Sequence, residues 1–264
     1  MKKILLFLLL GLAVSGVSVK ELKILPGYRI RDDKVYYTYK ELTGADISTF
    51  EILEERYARD KNHVYFEDII VEGINPEDFI YLGNYFGKSG SAVYISYKKI
   101  EKADVSSFTP LLFSYSKDKN YVFFTDKILE NADPESFQVL NGKYSKDRYN
   151  VYFWGEKIKG ADAATFGILN DEFGKDKKRV YYNSRILEKA DPETFKILEG
   201  PYSKDKNRVY VMGRILEKAD TRTFKTLGNY GYAKDRRYVY NYDKILENEK
   251  PESFIPPPMP VIMY

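Results

Sequence analysis

A chain of 264 residues that is 44% hydrophobic and 31% charged carries enough apolar material for a substantial core, which excludes disorder throughout. Its 42 basic and 39 acidic residues leave a net charge of +3, too close to neutrality to give nucleic-acid binding an electrostatic motive. The absence of cysteine excludes disulfides, thiol chemistry and lipid attachment through a cysteine.

At the amino terminus, Lys2 and Lys3 precede an unbroken apolar run from Ile4 to Leu10, followed by the small residues Ala13, Ser15, Gly16 and Ser18. These are the three zones of a secretory signal peptide, and the run is too short and poorly flanked to span a membrane. Residues 1–18 are therefore read as a signal peptide cleaved after Ser15 or Ser18, and 19–27 as a lead-in. Without Lys2 and Lys3 the chain holds 40 basic and 39 acidic residues.

From residue 28 to 254 one unit recurs eight times. A phenylalanine column runs Phe50, Phe79, Phe108, Phe137, Phe166, Phe195, Phe224 and Phe254, spaced by 29 with one final step of 30. Fifteen residues before each stands a valine, from Val35 to Val239, with an aromatic seven residues earlier, a second aromatic directly after it, and an aliphatic seven residues later. Three residues beyond each Phe is a leucine, until Pro257 takes that place in the last copy. Pro256, Pro257, Pro258 and Pro260 mark residues 255–264 as a tail that blunts the last strand edge.

Within a copy, Arg179-Val180-Tyr181-Tyr182 reads as a strand, Asn183-Ser184 as a tight turn, and Ile186-Leu187 as the returning strand of a hairpin. Ala190-Asp191-Pro192-Glu193-Thr194-Phe195 follows, with Asp as N-cap and Pro at the first helical position, predicting one helical turn. The next extended segment leads into Ser-Lys-Asp-Lys-Asn, whose Asp and Asn form turns. Such a unit cannot bury its own Val, Phe and Leu, so neighbours must share a core. The expected fold is mainly β with one short helical turn per repeat, stacked as an open solenoid-like array. A closed β-propeller-like ring is the alternative. Eight copies suit it, but 29 residues that include a helical turn leave room for two or three strands rather than a four-stranded blade.

The stretches KDKNYVFF, KDKNRVYV, KDKKRVYY and RDKNHVYF, at residues 117–124, 204–211, 175–182 and 59–66, resemble the DKNYY repeat family of exported bacterial proteins. The likeness extends over nearly the whole chain after the signal peptide. It implies export and a repeat architecture, and it brings no catalytic residues. Copy three departs from it, with Lys88-Ser89-Gly90-Ser91 replacing the basic-Asp-basic turn.

The aspartate column Asp60, Asp118, Asp147, Asp176, Asp205 and Asp235 invites a calcium reading, but each Asp stands alone among basic residues, so turn capping is favoured. The flanking Lys and Arg are expected to interleave with it as a self-neutralising ridge. The tyrosine after each valine, namely Tyr36, Tyr65, Tyr94, Tyr152, Tyr181, Tyr210 and Tyr240, is the candidate ligand-binding column. If Val faces the core, these rings face the other way, toward another layer or a partner.

Gly83-x-x-x-Gly87-Lys88-Ser89 imitates a phosphate loop but is one residue short. His63 is the sole histidine, which leaves no zinc cluster, and Trp154 falls in a hairpin turn. No cofactor, metal or catalytic group is implied. The expected function is that of an exported, noncatalytic, monomeric repeat protein binding a protein or glycan at the cell envelope, on the periplasmic, cell-surface or extracellular side. The alternative is a structural spacer or assembly element.

Overall fold

The computed structural model describes residues 27–54, 56–90, 92–228 and 230–258. The expected signal peptide, most of the lead-in and the end of the tail lie outside the described residues. The chain divides between Glu77 and Asp78 into two compact units, the first holding two sheets and the second six.

Each copy contributes one small antiparallel sheet whose strands pair in chain order, and no sheet closes into a barrel. Around Val151 the strands are Gln138–Val139, Tyr144–Lys146, Val151–Phe153 and Glu156–Lys157, with Tyr144 opposite Phe153 and Lys146 opposite Val151. All sheets but the first have four strands; the first has three, Tyr28–Arg31, Lys34–Tyr37 and Lys40–Glu41. The sequence expectation of two or three strands is thus corrected. Several strands are only two residues long, too short to show alternation, and they exist because a longer neighbour supplies the ladder.

The helical turn expected in every copy is a 3-10 turn only at Ile47–Thr49 among the described residues. Elsewhere the same residues form a capped turn without helix, with Thr165 N–H donating to the Asp162 carbonyl and Thr223 N–H to that of Asp220. The phenylalanine that follows is needed in the core, which stops the helix from propagating.

In each four-stranded meander, the turns joining strands one to two and three to four lie at one end of the sheet. The turn joining two to three, the Lys-Asp-Lys turn, lies at the other end with the capped turn. The sheets therefore have a charged rim and an opposite rim built from hairpin turns.

Valine and the tyrosine after it point to opposite faces, yet both are buried, because these sheets are covered on both sides. Val151 packs with Tyr144, Ile158 and Phe166 of its own copy and with Tyr181 of the next. Tyr152 packs backward into the cluster of Tyr115, Val122, Leu129 and Phe137. The pattern recurs where Phe173, Val180, Leu187 and Phe195 receive Tyr210, and where Tyr202, Val209, Leu216 and Phe224 receive Tyr240. Copy one and copies three to seven thus each leave a socket that the next copy's ring fills. Burying each such side chain contributes roughly 1.5–3 kcal/mol, so neighbours are mutually required.

Phe50, Phe108, Phe137, Phe166, Phe195 and Phe224 of the column each bridge two copies. Phe137 lies 5.6 Å from Tyr115 and 6.1 Å from Tyr152; Phe166 lies 5.6 Å from Tyr144 and 5.9 Å from Tyr181; Phe224 lies 5.2 Å from Tyr202 and 5.7 Å from Tyr240. These tilted and edge-on contacts suit the ring quadrupoles.

Opposite this aromatic across the ladder, Arg29 faces Tyr36 in the first copy, and from the second copy on the column holds only small residues: Ala58, Gly87, Ser116, Ser145, Gly174, Ser203 and Ala233. At Gly174 the Phe166 ring leans to 2.4 Å from where a side chain would begin, occupying the space that serine fills elsewhere. The hydroxyls of Ser116 and Ser203 are fully buried and have no hydrogen-bond partner. An unsatisfied buried hydroxyl costs about 1–3 kcal/mol, and alanine is already native to this column. Ser203→Ala is therefore expected to stabilise the chain by about 1 kcal/mol, read as a higher urea midpoint with unchanged slope; a lower midpoint would contradict it.

Candidate functional site

The charged rim is organised by the buried aspartates. Asp176, 4% exposed, accepts at Oδ1 from the N–H groups of Lys178 (2.7 Å) and Arg179 (2.8 Å). At Oδ2 it accepts from the Tyr181 hydroxyl (2.6 Å) and from the backbone N–H of Asp162 (3.0 Å), the capping residue of the preceding copy. Asp60, Asp147, Asp205 and Asp235 repeat this set. At Asp118 the hydroxyl is missing, because Phe123 stands in place of tyrosine. Turn capping is thus the role of this column, and the carboxylate also ties each copy to the one before. In copy three Ser89 replaces the aspartate, and its hydroxyl donates to Asp78.

Around each aspartate the basic residues have distinct tasks. The one before it reaches forward: Lys117 Nζ donates to the Pro134 carbonyl (2.8 Å), Lys175 to that of Pro192 (2.9 Å), and Lys234 to that of Pro251 (2.7 Å). The one after it pairs with the capping aspartate of the preceding copy, as in Lys61–Asp46 (2.5 Å), Lys119–Asp104 (2.8 Å), Arg148–Asp133 (2.7 Å) and Lys206–Asp191 (2.6 Å). Its backbone N–H donates to the Ser or Thr that ends the capped turn, for example Lys206 to Thr194. Interleaved charge is therefore present, with the partners drawn from two aspartate columns.

Burial opposes ionisation of Asp60, Asp176, Asp205 and Asp235, but backbone N–H groups and the tyrosine hydroxyl outweigh it and hold these carboxyls below their usual range. Their stabilisation is full above the unfolded value of about 3.9 and is lost as pH falls through the lower folded values. Burial, reinforced by the carboxylate, pushes the Tyr181 hydroxyl up to about 12, and those of Tyr65, Tyr152, Tyr210 and Tyr240 also upward. That contribution is full below the unfolded value of about 10 and is lost as pH rises through about 12 and beyond. The chain is expected to unfold cooperatively on alkaline titration, with the tyrosinate absorbance rising together with loss of the far-ultraviolet signal. A tyrosinate band that saturates while the fold persists would contradict this.

Of the seven tyrosines named as candidate ligand contacts, Tyr65, Tyr94, Tyr152, Tyr181, Tyr210 and Tyr240 are buried at 0–4% exposure, and Tyr36 in the first sheet is half-buried. Tyr65, Tyr152, Tyr181, Tyr210 and Tyr240 pack against the preceding copy, and their five hydroxyls are bonded to aspartate, which gives these rings a structural role. Where the earlier aromatic is Tyr28, Tyr115, Tyr144 or Tyr202, its hydroxyl also reaches across to the next copy. Tyr144 Oη donates to the carbonyls of Glu172 (2.9 Å) and Asn183 (2.8 Å), and Tyr202 Oη to those of Gly231 (2.6 Å) and Tyr242 (2.9 Å).

Gly87, Lys88 and Ser89 lie inside strand Phe86–Ser89, so the phosphate-loop likeness has no loop behind it. His63 is half-buried, with Nδ1 3.3 Å from the Tyr65 hydroxyl, and Trp154 is half-exposed.

On the charged rim a cleft recurs between successive capped turns. In the sixth copy Thr165, Lys175, Asp176, Lys177, Pro192 and Glu193 line about 410 Å³; in the seventh Thr194, Lys204, Asp205, Lys206, Thr221 and Arg222 line about 460 Å³. The equivalent Thr49, Arg59, Asp60, Lys61, Pro76 and Glu77 line about 310 Å³ in the second. Sequence reasoning treated this ridge as solvated and missed the cleft, which needs two neighbouring capped turns to form.

No curated protein and no solved structure matches the chain. The model of the DKNYY family matches residues 28–156, 86–214 and 202–256, overlapping stretches that follow the repeat built above. With a match that runs from residue 28 to residue 256, the chain belongs to the DKNYY family.

Proposed function

We propose that the chain is an exported, noncatalytic repeat protein that presents its charged rim as an extended surface to a protein or glycan at the cell envelope. The observation that carries this reading is the recurrence of one cleft, with equivalent lining residues, in three copies. Equivalent shallow sites in series suit a partner that repeats or extends, and their weak affinities multiply through effective concentration. Export rests on the charged, apolar and small-residue zones of residues 1–18. The copies are taken to continue as an open solenoid-like stack, supported by the copy-to-copy bonds of the aspartates and tyrosines.

Charge reversal tests this reading. Lys61→Glu, Lys177→Glu and Lys206→Glu are expected to weaken retention on an envelope-glycan matrix or on a solubilised envelope fraction progressively as they are combined. Retention that is absent in the parent chain, or indifferent to all three changes, would overturn it. The structural-spacer reading draws support from the commitment of the buried tyrosine column to internal bonds. It requires concentration-dependent assembly, which light scattering over a dilution series measures.

A further inference from the structure

The rim opposite the clefts has a different chemistry. In the second unit the hairpin-turn tips include Leu112, Phe113, Trp154, Met212 and Tyr242, exposed by 61, 55, 50, 48 and 43%. Four of them, Phe113, Trp154, Met212 and Tyr242, also hold left-handed backbone, with φ of 55, 51, 48 and 53°. Glycine or asparagine is the natural occupant of such a position, and Asn183 (φ 55°) fills it in the sixth copy. Large apolar side chains at these tips therefore carry two separate costs, exposed apolar surface and a disfavoured backbone, which folding alone does not require.

Neighbouring copies touch at this rim in two places. Phe113 lies in contact range of Gly142 in the next copy, Gly155 sits on Phe124 of the copy before it, and Gly213 on Tyr182. Beside them, as the first residue of the fourth strand, stands an exposed basic column: Lys98, Lys127, Arg185, Arg214 and Lys244. Asp126, Glu156, Asp171, Glu172 and Asp243 stand among these residues, and Asp243 lies 3.9 Å from Arg214, so the rim is not strongly basic as a whole.

We propose that this rim docks on a phospholipid bilayer surface. Protruding Leu, Phe, Trp, Met and Tyr tips suit a deformable apolar boundary, and a row of ammonium and guanidinium groups one step behind them complements the phosphate layer. Insertion of the tips carries the binding, and the mixed charge makes its salt dependence modest. The contact is independent of the clefts on the charged rim.

Trp154 is the only tryptophan and lies within this rim, so it reports contact directly. The full chain is titrated with vesicles of phosphatidylethanolamine and phosphatidylglycerol. Trp154 emission is expected to move to shorter wavelength and to become shielded from iodide. The variant Leu112→Asn/Phe113→Asn/Met212→Ser takes the residues that Asn141, Asn84 and Ser96 supply at the same positions of other copies. It should keep the parent circular dichroism and need at least about tenfold more lipid. Emission that does not move overturns the proposal. So does sedimentation with vesicles while Trp154 stays exposed, which assigns anchoring to the apolar run Ile4 to Leu10. A shift caused by envelope glycan but not by vesicles, or a variant that binds lipid like the parent, overturns it too.

Discussion

Asp205→Ala is expected to lower unfolding free energy by about 3–5 kcal/mol, the cost of stranding the donors around a buried charge. The Asp205 carboxylate receives the N–H groups of Asn207 (2.6 Å), Arg208 (2.7 Å) and Asp191 (2.9 Å) and the Tyr210 hydroxyl (2.9 Å). Removing it leaves these four without their acceptor. Asp205→Asn should cost less, because the amide keeps one acceptor oxygen and Tyr210 can rotate to accept from the new N–H₂. Asp118→Ala should also cost less, by about 1 kcal/mol, since Phe123 brings no hydroxyl to that site. Urea unfolding of the three variants gives the ordering; equal losses at residues 118 and 205 would show that the hydroxyl contributes nothing.

Phe166→Ala should cost about 3–5 kcal/mol and should be felt in two copies at once. The ring is buried between Tyr144 and Tyr181, which belong to successive sheets. Its loss opens a cavity in the one cluster that joins them, and the rigid meanders on either side cannot collapse into it. Hydrogen exchange is expected to quicken both in strand Tyr144–Lys146 and in strand Val180–Tyr182. Because the partners share that cavity, Phe166→Ala with Tyr181→Ala should destabilise by less than the sum of the single changes. Additive losses, or exchange confined to one strand, would show that the ring serves a single copy.

The repeat, its core columns and the capping role of the aspartates were legible in the sequence, because each rests on a local rule that recurs, eight times for Val and Phe and six times for Asp. Val and Phe recur at fixed spacing, and an Asp two and three residues before free backbone N–H groups caps a turn wherever it occurs. What local rules do not give is the number of layers. Alternation places Tyr181 opposite Val180, but only the next sheet decides whether that second face is wet or dry. A signal was present: in five copies an Asp stands five residues before this tyrosine, the spacing at which a strand brings a hydroxyl back over its own turn. Two-residue strands such as Gln138–Val139 were illegible for a different reason. They have no pattern of their own and are extended only because Tyr144–Lys146 pairs with them. The rim clefts were likewise hidden, since their walls come from residues as much as 28 or 29 apart in sequence.

The clasping bonds between copies have short reach. The aspartates hold residues 14 or 15 positions back, the lysines hold carbonyls 17 ahead, and the tyrosine hydroxyls extend 28 to 40 ahead. No piece of this scaffold waits for a distant terminus to arrive. As a growing or threading chain emerges, each sheet can therefore lock once a little more than one further copy has appeared, and structure can advance from the amino end in step with delivery.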